Sequence, residues 1–119
     1  MFKLLSAAFA LRPGRRILLT DSDNFPTDNY IAEGVGEFLG SQVERRVVAA
    51  DEIPGAIDSD TAVVSLTQVN YRSGLIHDMA RISATAAAKG ALSLWDLSHS
   101  AGAIAVDLNG AGADLAVGC

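Results

Sequence analysis

The chain has 119 residues, of which half are hydrophobic and 19% charged, and a formal net charge of -5. That is enough for one domain with a modest core, and its composition is that of a folded globular protein rather than a disordered one. The acidic balance excludes the basic footprint that nucleic-acid binding needs, no apolar run reaches the roughly 20 residues of a membrane span, and a lone cysteine, Cys119, excludes an internal disulfide and suits a reducing cytoplasm.

Leu4, Leu5, Ala8 and Leu11 fall on one face of a helix that Pro13-Gly14 ends. The start looks slightly like a signal peptide, but no basic region precedes its apolar block and Arg-Pro-Gly follows it, so a helix is expected there. A short buried strand is expected at 16–20, bounded by Asp21-Ser-Asp-Asn24. Pro26 then suits the first position of a helix, and Tyr30, Ile31, Val35, Phe38 and Leu39 supply that helix with an apolar stripe up to the stop at Gly40. Glycines 34, 36 and 40 do not form a dinucleotide fingerprint, since their spacing is off by one and they lie inside a helix.

A second strand is expected at 43–49, where Glu44, Arg45 and Arg46 point to a sheet edge. Residues 51–57 read as a single helical turn, and 61–66, apolar and β-branched, as the central strand. A polar loop, 67–74, follows, then an Ala-rich helix from Asp78 to the Lys89-Gly90 stop. Strands at 91–95 and 113–118 complete the pattern, with a short helical turn near 106–111 between them. Strand and helix alternate with no linker or repeat, so the expected fold is α/β: one mainly parallel sheet with helices on both faces. Neither end carries a clear stop signal: no N-cap residue precedes Phe2, and 113–119 ends on an apolar strand, so a fragment of a longer chain is expected.

In such a sheet, ligands bind beyond the carboxyl ends of the strands. Three polar segments lie there: Phe25-Pro-Thr-Asp28, Thr67 to Gly74, and Asp96 with His99. Asp96 admits two readings, the cap of a following helical turn or a site carboxylate. Phe25 likewise could staple the next helix, and Thr67 could be a turn hydroxyl. Together, a carboxylate at a strand end, an aromatic ring and hydroxyls suit a flat, cationic, phosphorylated ring, whose ring nitrogen a buried carboxylate keeps protonated.

Phe25-Pro-Thr-Asp28, Val69-Asn-Tyr-Arg-Ser-Gly74, Trp95-Asp-Leu-Ser-His99-Ser-Ala-Gly102, Val106-Asp-Leu and Gly112-Ala-Asp-Leu-Ala-Val-Gly-Cys119 resemble, in that order, the kynureninases. The resemblance implies a pyridoxal 5′-phosphate enzyme of the aspartate-aminotransferase fold (fold type I). It implies hydrolysis of L-kynurenine, or its 3-hydroxy form, to anthranilate or 3-hydroxyanthranilate and L-alanine, in tryptophan catabolism, by a cytoplasmic homodimer. By position, Asp96 would pair with the pyridinium nitrogen, Asp28 would lie close to the same atom and Phe25 would stack on the ring. Pro26 and Thr27 belong to the same cofactor-binding block, and Thr67 and His99 would complete the contacts. His77 matches no functional position and is expected at the surface; Tyr71 and Arg72 have no assigned role. The family's Schiff-base lysine, in a Tyr-Lys context, has no counterpart, because the only lysines are Lys3 and Lys89. Its phosphate-binding Thr segment is absent too. The resemblance therefore implies that residues 1–119 are a partial, truncated large domain with no catalytic residue of its own. Two other readings remain at this point, a cysteine desulfurase-like lyase and a non-enzymatic α/β interaction domain.

Overall fold

The structure is a computed structural model that describes residues 1–40 and 42–119. Among the described residues, five strands form one sheet: β1 (Ile17–Asp21), β2 (Glu44–Val48), β3 (Thr61–Thr67), β4 (Leu92–Asp96) and β5 (Leu115–Val117). Their order is β2-β1-β3-β4-β5, and all four pairings are parallel. Every strand lies within two residues of its expected place, and β2 is the edge that its charges indicated. The expected helical turn near 106–111 is a run of hydrogen-bonded turns rather than a helix.

Among the described residues, four α-helices cover the sheet: α1 (Phe2–Leu11), α2 (Pro26–Leu39), the one-turn α3 (Ile53–Ala56) and α4 (Met79–Ala88). Strand alternation sorts the core into two layers. Leu18, Val63, Leu92 and Leu94 pack with Leu5 and Ala8 of α1 and Ala32 and Val35 of α2. Ile17, Leu19, Val64, Leu66 and Trp95 point the other way, against Ile53 of α3 and Met79, Ile82 and Ala86 of α4. The indole N–H of Trp95, inside that second layer, donates to Ser83 Oγ at 3.0 Å, so burial leaves no orphan donor.

The stripe expected on α2 is narrower than its sequence suggests. Val35 is fully buried, whereas Tyr30 and Phe38 are 69% and 72% exposed. Tyr30 stands five residues from Val35, about 140° around the helix axis, and so faces away from the sheet. Phe38 instead meets Phe2 of α1 edge-on, with ring centroids 5.5 Å apart.

The amino end of the sheet is tied by arginines. Arg15 donates to the carbonyls of Thr61 and Lys89 at 2.9 and 2.8 Å, and Arg12 to that of Gly90 at 2.7 Å. Arg15 thus satisfies the carbonyl of Lys89, which caps α4, and Arg12 that of the next residue, so both cations sit at the negative end of that helix. At the carboxyl end the chain leaves β1 toward β2 and leaves β3 toward β4, in opposite directions. The crevice where parallel folds bind ligands therefore opens between β1 and β3.

Candidate cofactor site

Alternation along the strands decides which polar residues meet. Thr20, Thr67 and Asp96 project to the α1–α2 face, and Thr67 is the direct partner of Asp96 in the β3–β4 register. Helix α2 begins on the same face: Phe25 precedes it, Pro26 opens it, and Asp28 is buried in its first turn. The carboxyl ends of β1, β3 and β4 thus bring Asp28 and Asp96 to one place, as the fold reading required.

Asn24 fills the crevice itself. Its side-chain oxygen accepts from the Thr67 N–H at 2.9 Å and the Thr67 hydroxyl at 2.6 Å, while its amide donates to Thr20 Oγ1 at 3.1 Å. The Thr67 hydroxyl also lies 3.3 Å from Asp28 Oδ2. That hydroxyl is shared between two acceptors, and its bond to Asp28 opposes the upward shift of the carboxyl without cancelling it. Burial, then the charge of Asp96 and the hydrogen bond shared with it, push the Asp28 carboxyl up from 3.8 to about 6. These are the expected effects of desolvation and of a like charge nearby.

Asp96 caps the turn that follows it, the first of its two sequence readings. One oxygen, Oδ1, accepts from the Ser98 N–H at 2.9 Å and the Ser98 hydroxyl at 2.6 Å, closing the turn that carries His99. The other oxygen receives no hydrogen bond from another side chain or N–H among the described residues except by way of Asp28.

Asp28 and Asp96 form the floor of a cleft of about 350 Å³, with Phe25, Thr27, Ser98, His99 and the Val117–Cys119 segment around it. Phe25 and His99 stand side by side, with centroids 5.3 Å apart. Tyr71 meets the edge of Phe25 at 5.0 Å from outside the cleft, backing that ring rather than lining the cleft itself. Of the residues singled out in the sequence, Phe25, Thr27, Asp28, Asp96 and His99 line this cleft. Thr67 supports it from beneath through Asp28. Pro26 does not line it; it borders a separate, polar hollow of about 270 Å³ together with Tyr71 and Arg72.

Two residues were missed or misplaced. Asn24 lies in the run Asp21-Ser-Asp-Asn24, where every residue type is a turn former, so nothing marks the one that turns inward. His77 is 8% exposed, not at the surface, and its Nε2 lies 3.2 Å from Asp21 Oδ2.

The aminotransferase class-V family matches residues 4–118. The chain belongs to that family. Among curated class-V relatives, it is 52% identical to a kynureninase of Pseudomonas fluorescens over 124 aligned positions and 53% identical to one of Deinococcus radiodurans over 118. The alignments cover 100% and 99% of this chain but 30% and 28% of those relatives, so it spans less than a third of their length. Among solved structures, a NifS-like protein superposes with a TM-score of 0.80 at 18% identity, covering 98% of this chain and 34% of that one. The cysteine desulfurase CsdA of Escherichia coli gives 0.73 at 16%, covering 98% and 31%. At those identities the two structures show the fold alone.

The residues present fit a protonated pyridine ring. Such a ring is flat and carries its positive charge at one in-plane atom, and the cleft offers aromatic side walls above a pair of carboxylates that repel one another until a cation or a proton arrives.

Proposed function

We propose that this chain supplies the ring-binding part of a pyridoxal 5′-phosphate site in a kynureninase. The enzyme hydrolyses L-kynurenine or its 3-hydroxy form to anthranilate or 3-hydroxyanthranilate and L-alanine. The single observation that carries the reading is the Asp28–Asp96 pair beneath Phe25 and His99 in one cleft. The choice of kynurenine over other substrates rests on the relatives, since identity is 52–53% to kynureninases and 16% to the desulfurase fold neighbour. The same reading takes the whole enzyme to be a cytoplasmic homodimer, with residues 1–119 as part of its large domain.

When bound, the cofactor supplies an electron sink that accepts charge from the substrate's α-carbon. The chain's own residues would keep that sink working. Asp96, held by Ser98 through one oxygen, presents the other to the ring nitrogen and keeps a proton on it. Asp28 sits close enough to Asp96 to share a proton while the ring is away and adds negative charge once a cation replaces that proton. Phe25 packs against the ring face, and His99 closes the cleft beside it. Thr67 and Asn24 hold Asp28 in place from within the sheet.

Covalent attachment needs an amine that reaches the cofactor. Lys89 is at the C-terminus of α4, where its carbonyl accepts from Arg15, at the opposite end of the sheet from Asp96. Lys3 is exposed on α1 and does not line the cleft. The 119-residue chain alone is therefore expected to release no anthranilate from kynurenine.

A segment graft tests the proposal. Residues 1–119 replace the matching segment of the Pseudomonas fluorescens kynureninase, which supplies the remainder. The graft is expected to convert kynurenine to anthranilate, followed by the fluorescence of the product. A folded, soluble graft with no turnover would overturn the assignment.

A further inference from the structure

His77 belongs to a loop, 68–77, that closes on itself. Val69 and Ile76 form an isolated antiparallel bridge, the His77 N–H donates to the Gln68 carbonyl at 2.9 Å, and the Asn70 N–H donates to that of Leu75 at 2.8 Å. Tyr71 stands at the tip, edge-on to Phe25 at 5.0 Å and 6.3 Å from the His99 ring. Two tethers bind this loop to the turn after β1. Asn70 donates to the Asp23 carbonyl at 2.9 Å, and His77 pairs with Asp21 Oδ2 at 3.2 Å.

Asp21 serves both sides of the joint. Its Oδ1 accepts from the Asp23 N–H at 2.7 Å, which shapes the turn leading to Phe25. Burial pushes its carboxyl up, but the hydrogen bonds from His77 and the Asp23 N–H outweigh that and hold it below the ordinary value. Both side chains are almost fully enclosed, at 7% and 3% exposure. His77 packs near Trp95, at 6.5 Å, in the layer on the other side of the sheet from the cleft. It is not among the residues that line the cleft, yet it anchors the loop that carries Tyr71, the ring that backs Phe25.

We propose that His77 is a positioning residue: by pairing with Asp21 it clamps loop 68–77 onto the β1–α2 turn, and so holds Tyr71 against Phe25 at the wall of the cleft. The proposal rests on the cofactor-site reading for its purpose, although the clamp itself can be measured without cofactor. A buried histidine paired with a strand-end aspartate could equally stabilise the core and nothing else. The two roles separate on whether Phe25, across the sheet from His77, responds.

The test uses the full 119-residue chain without cofactor or substrate. Tyr71 and His99 displace the Phe25 ring-proton resonances in the NMR spectrum, and trypsin cutting after Arg72 reports opening of the loop. His77→Phe is expected to move the Phe25 resonances toward unstructured values. It should also speed cleavage at Arg72 by roughly tenfold, the lower end for a lost hydrogen bond to a charged group. His77→Gln, whose amide can still donate to Asp21, should restore both readings. Emission from Trp95, the only tryptophan, verifies that each variant keeps its core. If His77→Phe does not fold, Asp21→Asn replaces it: the weaker neutral pair should speed cleavage by roughly threefold. Unmoved Phe25 resonances in folded His77→Phe, His77→Gln behaving like His77→Phe, or a wild-type cleavage rate in Asp21→Asn would each overturn the proposal. Failure of the graft to turn over kynurenine would leave these readings untouched, so the two ideas can fail separately.

Discussion

Replacing Asp28 by asparagine should stabilise this chain, and only at neutral or alkaline pH. The two carboxylates of the cleft cost folding energy when both are charged. Burial and the neighbouring Asp96 raise the Asp28 pKa from 3.8 in the unfolded chain to about 6 in the fold. Between those values the folded state binds more protons than the unfolded state, so stability falls as pH rises. Below 3.8 the contribution is fully present, and above about 6 it is gone. At 1.36 kcal/mol per pH unit the interval amounts to about 3 kcal/mol, which water in the open cleft screens to about 1–2 kcal/mol. Asparagine keeps the shape, accepts from Thr67 and can donate to Asp96, but carries no charge. The variant should therefore melt about 4–8 °C above wild type at pH 8 and level with it at pH 4. Thermal unfolding followed by circular dichroism at the two pH values reads the difference directly. Asp21 and Asp58, whose pKa values are lowered, act the other way but equally in both proteins. An Asp28→Asn melting shift that is the same at pH 4 and pH 8 would refute the proton-sharing account of the cleft.

In the kynureninase graft, Asp96→Asn should cut turnover by about a hundredfold or more, because a neutral amide cannot hold the ring proton that a preorganised charge would hold; near-full activity would remove Asp96 from the role. Thr67→Val keeps the shape but leaves the Asn24 carbonyl oxygen and Asp28 each short of a partner, which should cost about 1–3 kcal/mol in urea unfolding. Gly90→Ala should lower stability by about 1 kcal/mol or more, since Gly90 has a φ of +75° and an added Cβ would run into the Arg15 guanidinium. Removing the edge pair with Arg46→Met, although its Nη1 is 2.7 Å from Asp58, should change stability by less than about 1 kcal/mol because both groups are half exposed. A loss above 2 kcal/mol there would mean that β2 is better buried than its exposure indicates.

Much of this architecture is local and so can be read from the chain. Pro13-Gly14, Gly40 and Lys89-Gly90 end helices by their own backbone chemistry, and the β-branched run at 61–66 is a strand wherever it is placed. The parallel sheet follows from alternation of those elements, and the carboxyl-end position of Asp28, Thr67 and Asp96 follows from the parallel sheet. What periodicity could not decide is which side of an element faces inward once partners are chosen. Tyr30 and Phe38 lie outside the α2 contact because the sheet meets a narrower arc of that helix than its apolar residues span. His77, polar and in a polar loop, is buried because the 68–77 loop folds back beneath Asp21, a contact 56 residues away in sequence. Asn24 turns into the crevice because the β1–β3 pairing ends at Thr20 and Ser65, leaving the Thr67 N–H and hydroxyl and the Thr20 hydroxyl to be bridged. Turns, caps and strand runs are thus determined by neighbours along the chain, whereas the Asp28 and Asp96 carboxyls of one cleft, the Asn24 bridge and the His77–Asp21 pair exist only because the sheet order brings distant segments together.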